Sequence, residues 1–313
     1  MCFAGLALGV LALVACGGGG KGAQAPGEQK PDVDGDPLVL IPPAAIVVVR
    51  ADAATVFSNP AVGGELASLA SSFVPLGEDA GFHVAKDVDR VVAASYATSN
   101  MDVAAVLRGR FDVDRIAHAT KTQKGAPITA GTYLGIATYT SGRVAWATLS
   151  AKTLIAGSPE GVQLVIDRVA KNKLDKWEPA WMTTTLETAT AQVAVAGDLS
   201  STPITVATIG ALNLGWVKGV KQVRALGTLD ASGLTVSGTL GFADAGQASD
   251  AAGGIKQADR LLDVFGPLLG GLRLQRFDVG LDGTDVRCSF AVDAQGLRTL
   301  LALAPRFIPG MPQ

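Results

Sequence analysis

From Ala44 onward the hydrophobic pattern keeps switching between two periods. Short runs alternate every second residue, as in half-buried strands, and between them lie stretches with the i, i+3, i+4, i+7 spacing of a helix. Arg90–Tyr96 and Val103–Gly109 predict a hairpin around Thr98-Ser99-Asn100. Asp112 then stands where a helix cap belongs, ahead of Val113, Ile116, Ala117 and Thr120. Tyr133–Tyr139 and Arg143–Leu149 predict a second hairpin across Ser141-Gly142, followed by a strand at Thr153–Ala156. Ser158-Pro159-Glu160 opens a helix with a capping hydroxyl, a first-turn proline and an acid near the positive end of the dipole. Its apolar stripe is Val162, Val165, Ile166 and Val169. Hairpins interleaved with helices predict an α+β fold with antiparallel sheets.

The second half repeats this order. A lone strand is expected at Gln192–Ala196, echoing Ala45–Arg50, and a helix after Ser201 and Pro203. Lys221–Leu229 and Leu234–Phe242 form a hairpin, and Asp244 opens a long helix. Arg273–Leu281 and Val286–Val292 form the last hairpin, and Asp293 caps a helix with Leu297, Leu300 and Leu301 inward. The expected architecture is therefore a tandem repeat of antiparallel hairpins with helices packed on one face of the sheets, over residues 44–176 and 177–313. Periodicity leaves open whether the two sheets are separate or continuous. The step Arg108-Gly109-Arg110-Phe111-Asp112, from hairpin into helix, resembles a loose class of uncharacterised exported bacterial proteins. That resemblance implies no activity.

The N-terminus carries a different signal. An apolar run from Phe3 to Ala15 ends in Leu13-Val14-Ala15-Cys16 and is followed by Gly17 to Gly20. The run is shorter than the roughly 20 residues that span a bilayer, and its length suits a signal h-region. No Lys or Arg precedes it, so the positive n-region of such a signal is missing. The motif resembles the lipobox of a bacterial lipoprotein. The resemblance implies that 1–15 is a signal peptide, removed on export, and that Cys16 carries the lipid. Two or three acyl chains of the palmitate kind are expected there, because each buried CH₂ contributes only about 0.8 kcal/mol. Gly17, where an Asp would signal retention in the inner membrane, points to the outer membrane. Residues 16–43 read as a flexible tether rich in Gly, Pro, Lys, Gln and Asp.

Composition narrows the function classes. The net charge of −2 argues against nucleic acid, which needs a concentrated basic surface. Of three cysteines, Cys2 leaves with the signal and Cys16 is lipidated, so Cys288 remains alone. It alternates with Val286, Phe290 and Val292 and is expected in the core. His83 and His118 have no second ligand at metal spacing, so neither a metal nor another cofactor is expected. Gly17, Gly19 and Gly22 match G-x-G-x-x-G, without the strand and helix that motif needs. Asp32-Val33-Asp34-Gly35-Asp36 looks like part of a calcium loop but lacks the closing Glu. Asp52, Asp112, Asp198, Asp244 and Asp293 all stand where strands give way to helices, which capping explains.

Trp177 and Trp181, in the connector between the halves, are the candidate binding residues. They can form an aromatic platform for a sugar or a partner, or pack over the seam between repeats. Small residues in the strands, Gly135, Ala137, Ala145, Ala147, Gly238 and Gly241, leave room either for an acyl chain or for close helix packing. The leading expectation is a non-enzymatic, membrane-anchored envelope protein acting as a structural or interaction module, tied to the membrane by its N-terminal lipid. The alternative is a periplasmic carrier of a lipid or other hydrophobic ligand. A hydrolase built on paired carboxylates comes third.

Overall fold

The computed structural model of the chain describes residues 31–73, 76–97, 102–202, 215–266 and 271–303. Twelve strands form one continuous sheet: β1 Val47–Ala51, β2 Val88–Ser95, β3 Val103–Gly109, β4 Thr129–Tyr133, β5 Ile136–Ser141, β6 Val144–Thr148, β7 Thr153–Gly157, β8 Val193–Asp198, β9 Gln222–Asp230, β10 Gly233–Gly241, β11 Gln275–Asp282 and β12 Asp285–Asp293. Their order across the sheet is β11-β12-β10-β9-β8-β1-β2-β3-β7-β6-β5-β4. Every neighbouring pair is antiparallel. The two halves meet at β1 and β8, which pair from Val47↔Gly197 to Ala51↔Val193. The sheet is thus unbroken across the boundary between the expected repeats.

Eight helices accompany the described strands: α1 Ala53–Phe57, α2 Gly63–Phe73, α3 Val84–Asp87, α4 Val113–His118, α5 Pro159–Ala170, α6 Ala180–Leu186, α7 Ala245–Phe265 and α8 Ala294–Leu303. Helix starts follow local chemistry. The side chains of Asp52, Asp112, Ser158, Asp244 and Asp293 accept from the backbone N–H of Thr55, Arg115, Gly161, Gln247 and Gly296 respectively. Each such cap is worth about 1 kcal/mol. Asp198 instead accepts from Ser200 N–H in a turn. The helix expected after Pro203 lies outside the described residues.

The helices do not share one face. Alternation along the strands separates two sets of side chains. Val49, Val91, Ala105, Leu107, Trp146 and Val195 point to a front face covered by α1, α2, α3, α4 and α8. Val223, Leu240, Val286 and Cys288 lie on the same face under α7. Val48, Val92, Ala94, Ala104, Val106, Ile155 and Ala194 point to the back, against α5 and α6. The expectation of helices on one face is corrected here. Val91–Ala94 of β2, Val103–Leu107 of β3 and Leu154–Ala156 of β7 are continuous apolar runs, and such runs need cover on both sides.

Two local readings also change. Tyr133–Tyr139 is not one strand, because Leu134 (φ 50°) and Gly135 (φ 79°) turn the chain between β4 and β5. A leucine in the left-handed region is uncommon, so only Gly135 marks the turn in the sequence. Residues 31–43, taken as the end of a flexible tether, pack on the back of the sheet. Leu38, Leu40 and Ile41 are buried around a 3₁₀ turn at Pro37–Leu40, and they join the core formed with α5.

Candidate functional site

The most elaborate polar construction among the described residues fastens this strap. Asp34 sits between Ser150, Thr153 and the guanidinium of Arg108, with Arg108 Nη1 3.1 Å from its carboxylate. Arg108 also donates to the Gly35 carbonyl and to Thr153 Oγ1. Partial burial opposes ionisation of Asp34. The hydroxyls of Ser150 and Thr153 and the charges of Arg108 and Lys152 outweigh it and hold the carboxyl below its ordinary value. Asp32 accepts from Asp34 N–H, and Asp36 caps the 3₁₀ turn through Leu38 N–H. Each member of the calcium-loop-like motif therefore has a local task. Among the described residues, no group of three or more His, Cys, Asp or Glu stands where it could hold a metal ion.

The connector between the halves clamps the other end of the strap. Trp177 Nε1 donates to the Ile41 carbonyl at 2.8 Å. Arg168, on α5, donates to the Val39 carbonyl at 2.6 Å and to the Asp175 carbonyl. Lys176 bridges Asp36, at 3.1 Å, and Glu187. Tyr96 donates from its hydroxyl to the Pro42 carbonyl at 3.2 Å.

Glu178 is the unusual group here. It is only 8% exposed, and neither carboxylate oxygen makes a well-formed hydrogen bond. Burial pushes its pKa up; the nearby backbone amides of Glu178 and Trp177 and the charge of Lys176 offset this only in part.

Trp181 lies on α6 and packs, like Trp177, against the back-face core. The guanidinium of Arg224 stands 5.9 Å from its ring centre and reaches Asp285 at 2.8 Å. Such a cation–π contact is worth about 0.5–1 kcal/mol where water has access. The two tryptophans therefore hold different things: Trp177 holds the strap to the first half, and Trp181 faces β9 of the second. Cys16 lies outside the described residues.

The remaining candidates lie apart. His83 precedes α3, and His118 ends α4 with Nδ1–H donating to the Asp114 carbonyl at 2.7 Å. Both are exposed. Cys288 is buried, and burial pushes its thiol up to about 11. No helix among the described residues is long and apolar enough to cross a membrane. Sequence reasoning named Asp34 only within the calcium-loop-like motif and missed Arg108 and Glu178. The available signals were an arginine at the end of an apolar strand and an acid wedged between Trp177 and Pro179.

No family model matches the chain, and no curated protein matches its sequence. Solved structures do match. Crystal form I of TP0453 aligns with a TM-score of 0.52 at 12% identity, over 86% of this chain and 97% of that one. Crystal form III aligns with a TM-score of 0.52 at 11% identity, over 86% and 98%. At such identity the likeness shows the fold alone.

Proposed function

We propose that this is an exported, lipid-anchored protein of the outer membrane whose folded part is a non-enzymatic interaction module of the envelope. The strap is the observation that carries this reading. The chain leaving Cys16 reaches Pro31 after 15 residues, at most about 50 Å when extended. From there it is fastened to the sheet by Asp34, Val39, Ile41 and Pro42. A lipid on Cys16 would thus hold a rigid sheet near the membrane. The test is a Cys16→Ala variant expressed in its native envelope. Loss of the acyl mass and release from the membrane fraction are expected. A variant that stays membrane-bound would sink the anchor, and turnover of lipid, glycan or peptide by the purified protein, abolished by one acidic substitution, would sink the non-enzymatic reading.

We also infer that the halves arose by tandem duplication. Outward from the β1–β8 pair, the order is β1-β2-β3-β7-β6 on one side and β8-β9-β10-β12-β11 on the other. Each side has a lone strand, a hairpin, and a second hairpin added by its later strand.

The carrier reading has one observation in its favour. An apolar cavity of about 40 Å³ lies between β8-β9-β10 and the helices α1, α2 and α8, lined by Val56, Leu66, Val195, Leu229, Val236 and Leu297. That volume suits a water or two rather than an acyl chain. A ligand would enter only if α8 moved off the sheet. Native mass spectrometry of the purified chain showing a bound mass of lipid size would favour this reading.

A further inference from the structure

Three consecutive residues of the connector, Lys176, Trp177 and Glu178, stand beside the strap, and two of them grip it. Lys176 Nζ reaches the Asp36 carboxylate at 3.1 Å and also pairs with Glu187 at the end of α6. Trp177 Nε1 donates to the Ile41 carbonyl at 2.8 Å. The third is the buried acid. Both carboxylate oxygens of Glu178 are shut away from water, and neither makes a well-formed hydrogen bond. The charges that bear on it are Asp36 of the strap, which opposes a second negative charge, and Lys176, which favours one. A carboxylate so placed either keeps its proton or moves to water. Glu178 cannot reach water alone. Pro179 follows it, and the residue before a proline is held extended. Trp177 precedes it and packs against the back-face core. The carboxylate gains water only if the connector shifts, and that shift carries Trp177 off Ile41 and Lys176 off Asp36.

We propose that residues 176–178 form a proton-operated latch on the strap: with Glu178 neutral the connector stays seated and holds Asp36 to Ile41 against the sheet, and with Glu178 ionised it shifts and lets that segment lift. The turn at Pro37–Leu40 packs on β2, β3 and α5, so opening uncovers apolar side chains of the back face. The neutral acid belongs to the closed form. Closure is therefore complete below the ordinary glutamate value of 4.5 and is lost as the pH rises through the raised value of the folded state. The Asp34 clamp is separate. Its carboxyl is held below its ordinary value and stays ionised while Glu178 titrates, so the strap remains fastened at Arg108 when the latch opens. The latch is a property of the folded part and stands whether or not Cys16 carries a lipid.

The test is hydrogen exchange of the full chain from pH 4.5 to neutrality, read as protection relative to the intrinsic rate at each pH. The reporters are the amides of Val39 and Ile41, bonded within the strap to the Asp36 and Leu38 carbonyls. The reference for opening of the whole sheet is β10, which is paired on both sides. Strap protection is expected to lie many-fold below that of β10 and to fall several-fold further as the pH rises. Glu178→Gln, neutral and of nearly the same shape, is expected to keep the acid level of protection at every pH. Equal protection in strap and β10 would mean that the strap opens only with the whole sheet, and would overturn the latch. So would strap protection that does not change with pH. Neither of these outcomes needs a variant. A pH dependence that survives Glu178→Gln would also overturn it and would pass to His83 and His118, on α3 and α4 at the other face.

Discussion

The two halves of the sheet share a front face but differ at the back. In the first half, Val92, Ala94, Ala104, Val106 and Ile155 are buried there beneath α5 and the strap. In the second half the same face carries Thr228, Thr235, Ser237 and Arg287, all exposed. The two helices that follow the last strand of each half part company accordingly. Helix α5 crosses to the back after β7, while α8 stays at the front after β12. Gly157 and Gly161 permit the crossing. A side chain on either would meet the Val103 carbonyl, at 2.0 Å and 2.1 Å. At the start of α8, a side chain on Gly296 would meet the Val292 side chain at 2.9 Å, a softer neighbour. Equivalent topology has thus been given two different surroundings. The half with two buried faces is also the one that receives the N-terminal strap.

The largest effect is expected from probing that back face directly. Ile166→Ala, fully buried on α5, should cost about 2–5 kcal/mol in denaturant unfolding. Thr235→Ala on the same face of the second half should stay within about 0.5 kcal/mol. Equal losses would erase the contrast between the halves. Next comes the crossing itself. Gly161→Ala should destabilise by about 1–3 kcal/mol through overpacking, and Gly296→Ala by clearly less.

The strap and the seam give smaller effects of opposite sign. Glu178 has a raised pKa in the folded state, so its ionised form opposes folding once the pH exceeds the ordinary carboxylate range. Glu178→Gln should therefore raise the thermal midpoint at neutral pH. The gain should vanish in acid, where both states carry the proton. Asp34 has a lowered pKa. Its contribution is present above its ordinary value of 3.8 and is lost as the pH falls through the folded value. Hydrogen exchange at Leu40 and Ile41 should speed up over that acid range, and Asp34→Asn should speed it at neutral pH. A strap that exchanges identically in both cases is not held by the Asp34 clamp. The smallest effect is kinetic: Cys288, buried with its thiol raised to about 11, should react with maleimide only on unfolding.

Much of this fold is written in local chemistry. The alternation of periods placed most strands, and the acids at Asp52, Asp112, Asp244 and Asp293 marked helix starts, because caps and turns act over three or four residues. The turn at Leu134 escaped because leucine is not a residue that turns select, and Gly135 beside it was read as part of a strand. The candidate site was less visible. Asp34 and Arg108 are 74 residues apart, and Trp177 and Ile41 are 136 apart. No periodicity links them, and only folding brings them together. The apolar runs Val91–Ala94 and Val103–Leu107 are buried on both faces, where the sequence reading expected one covered face. The choice between helix, strap and solvent is made by packing: each buried stretch accepts whatever apolar surface the chain can bring to it. The sequence alone determined the elements and their antiparallel, hairpin-built class. The tertiary structure decided which face each helix covers and where the strap is fastened.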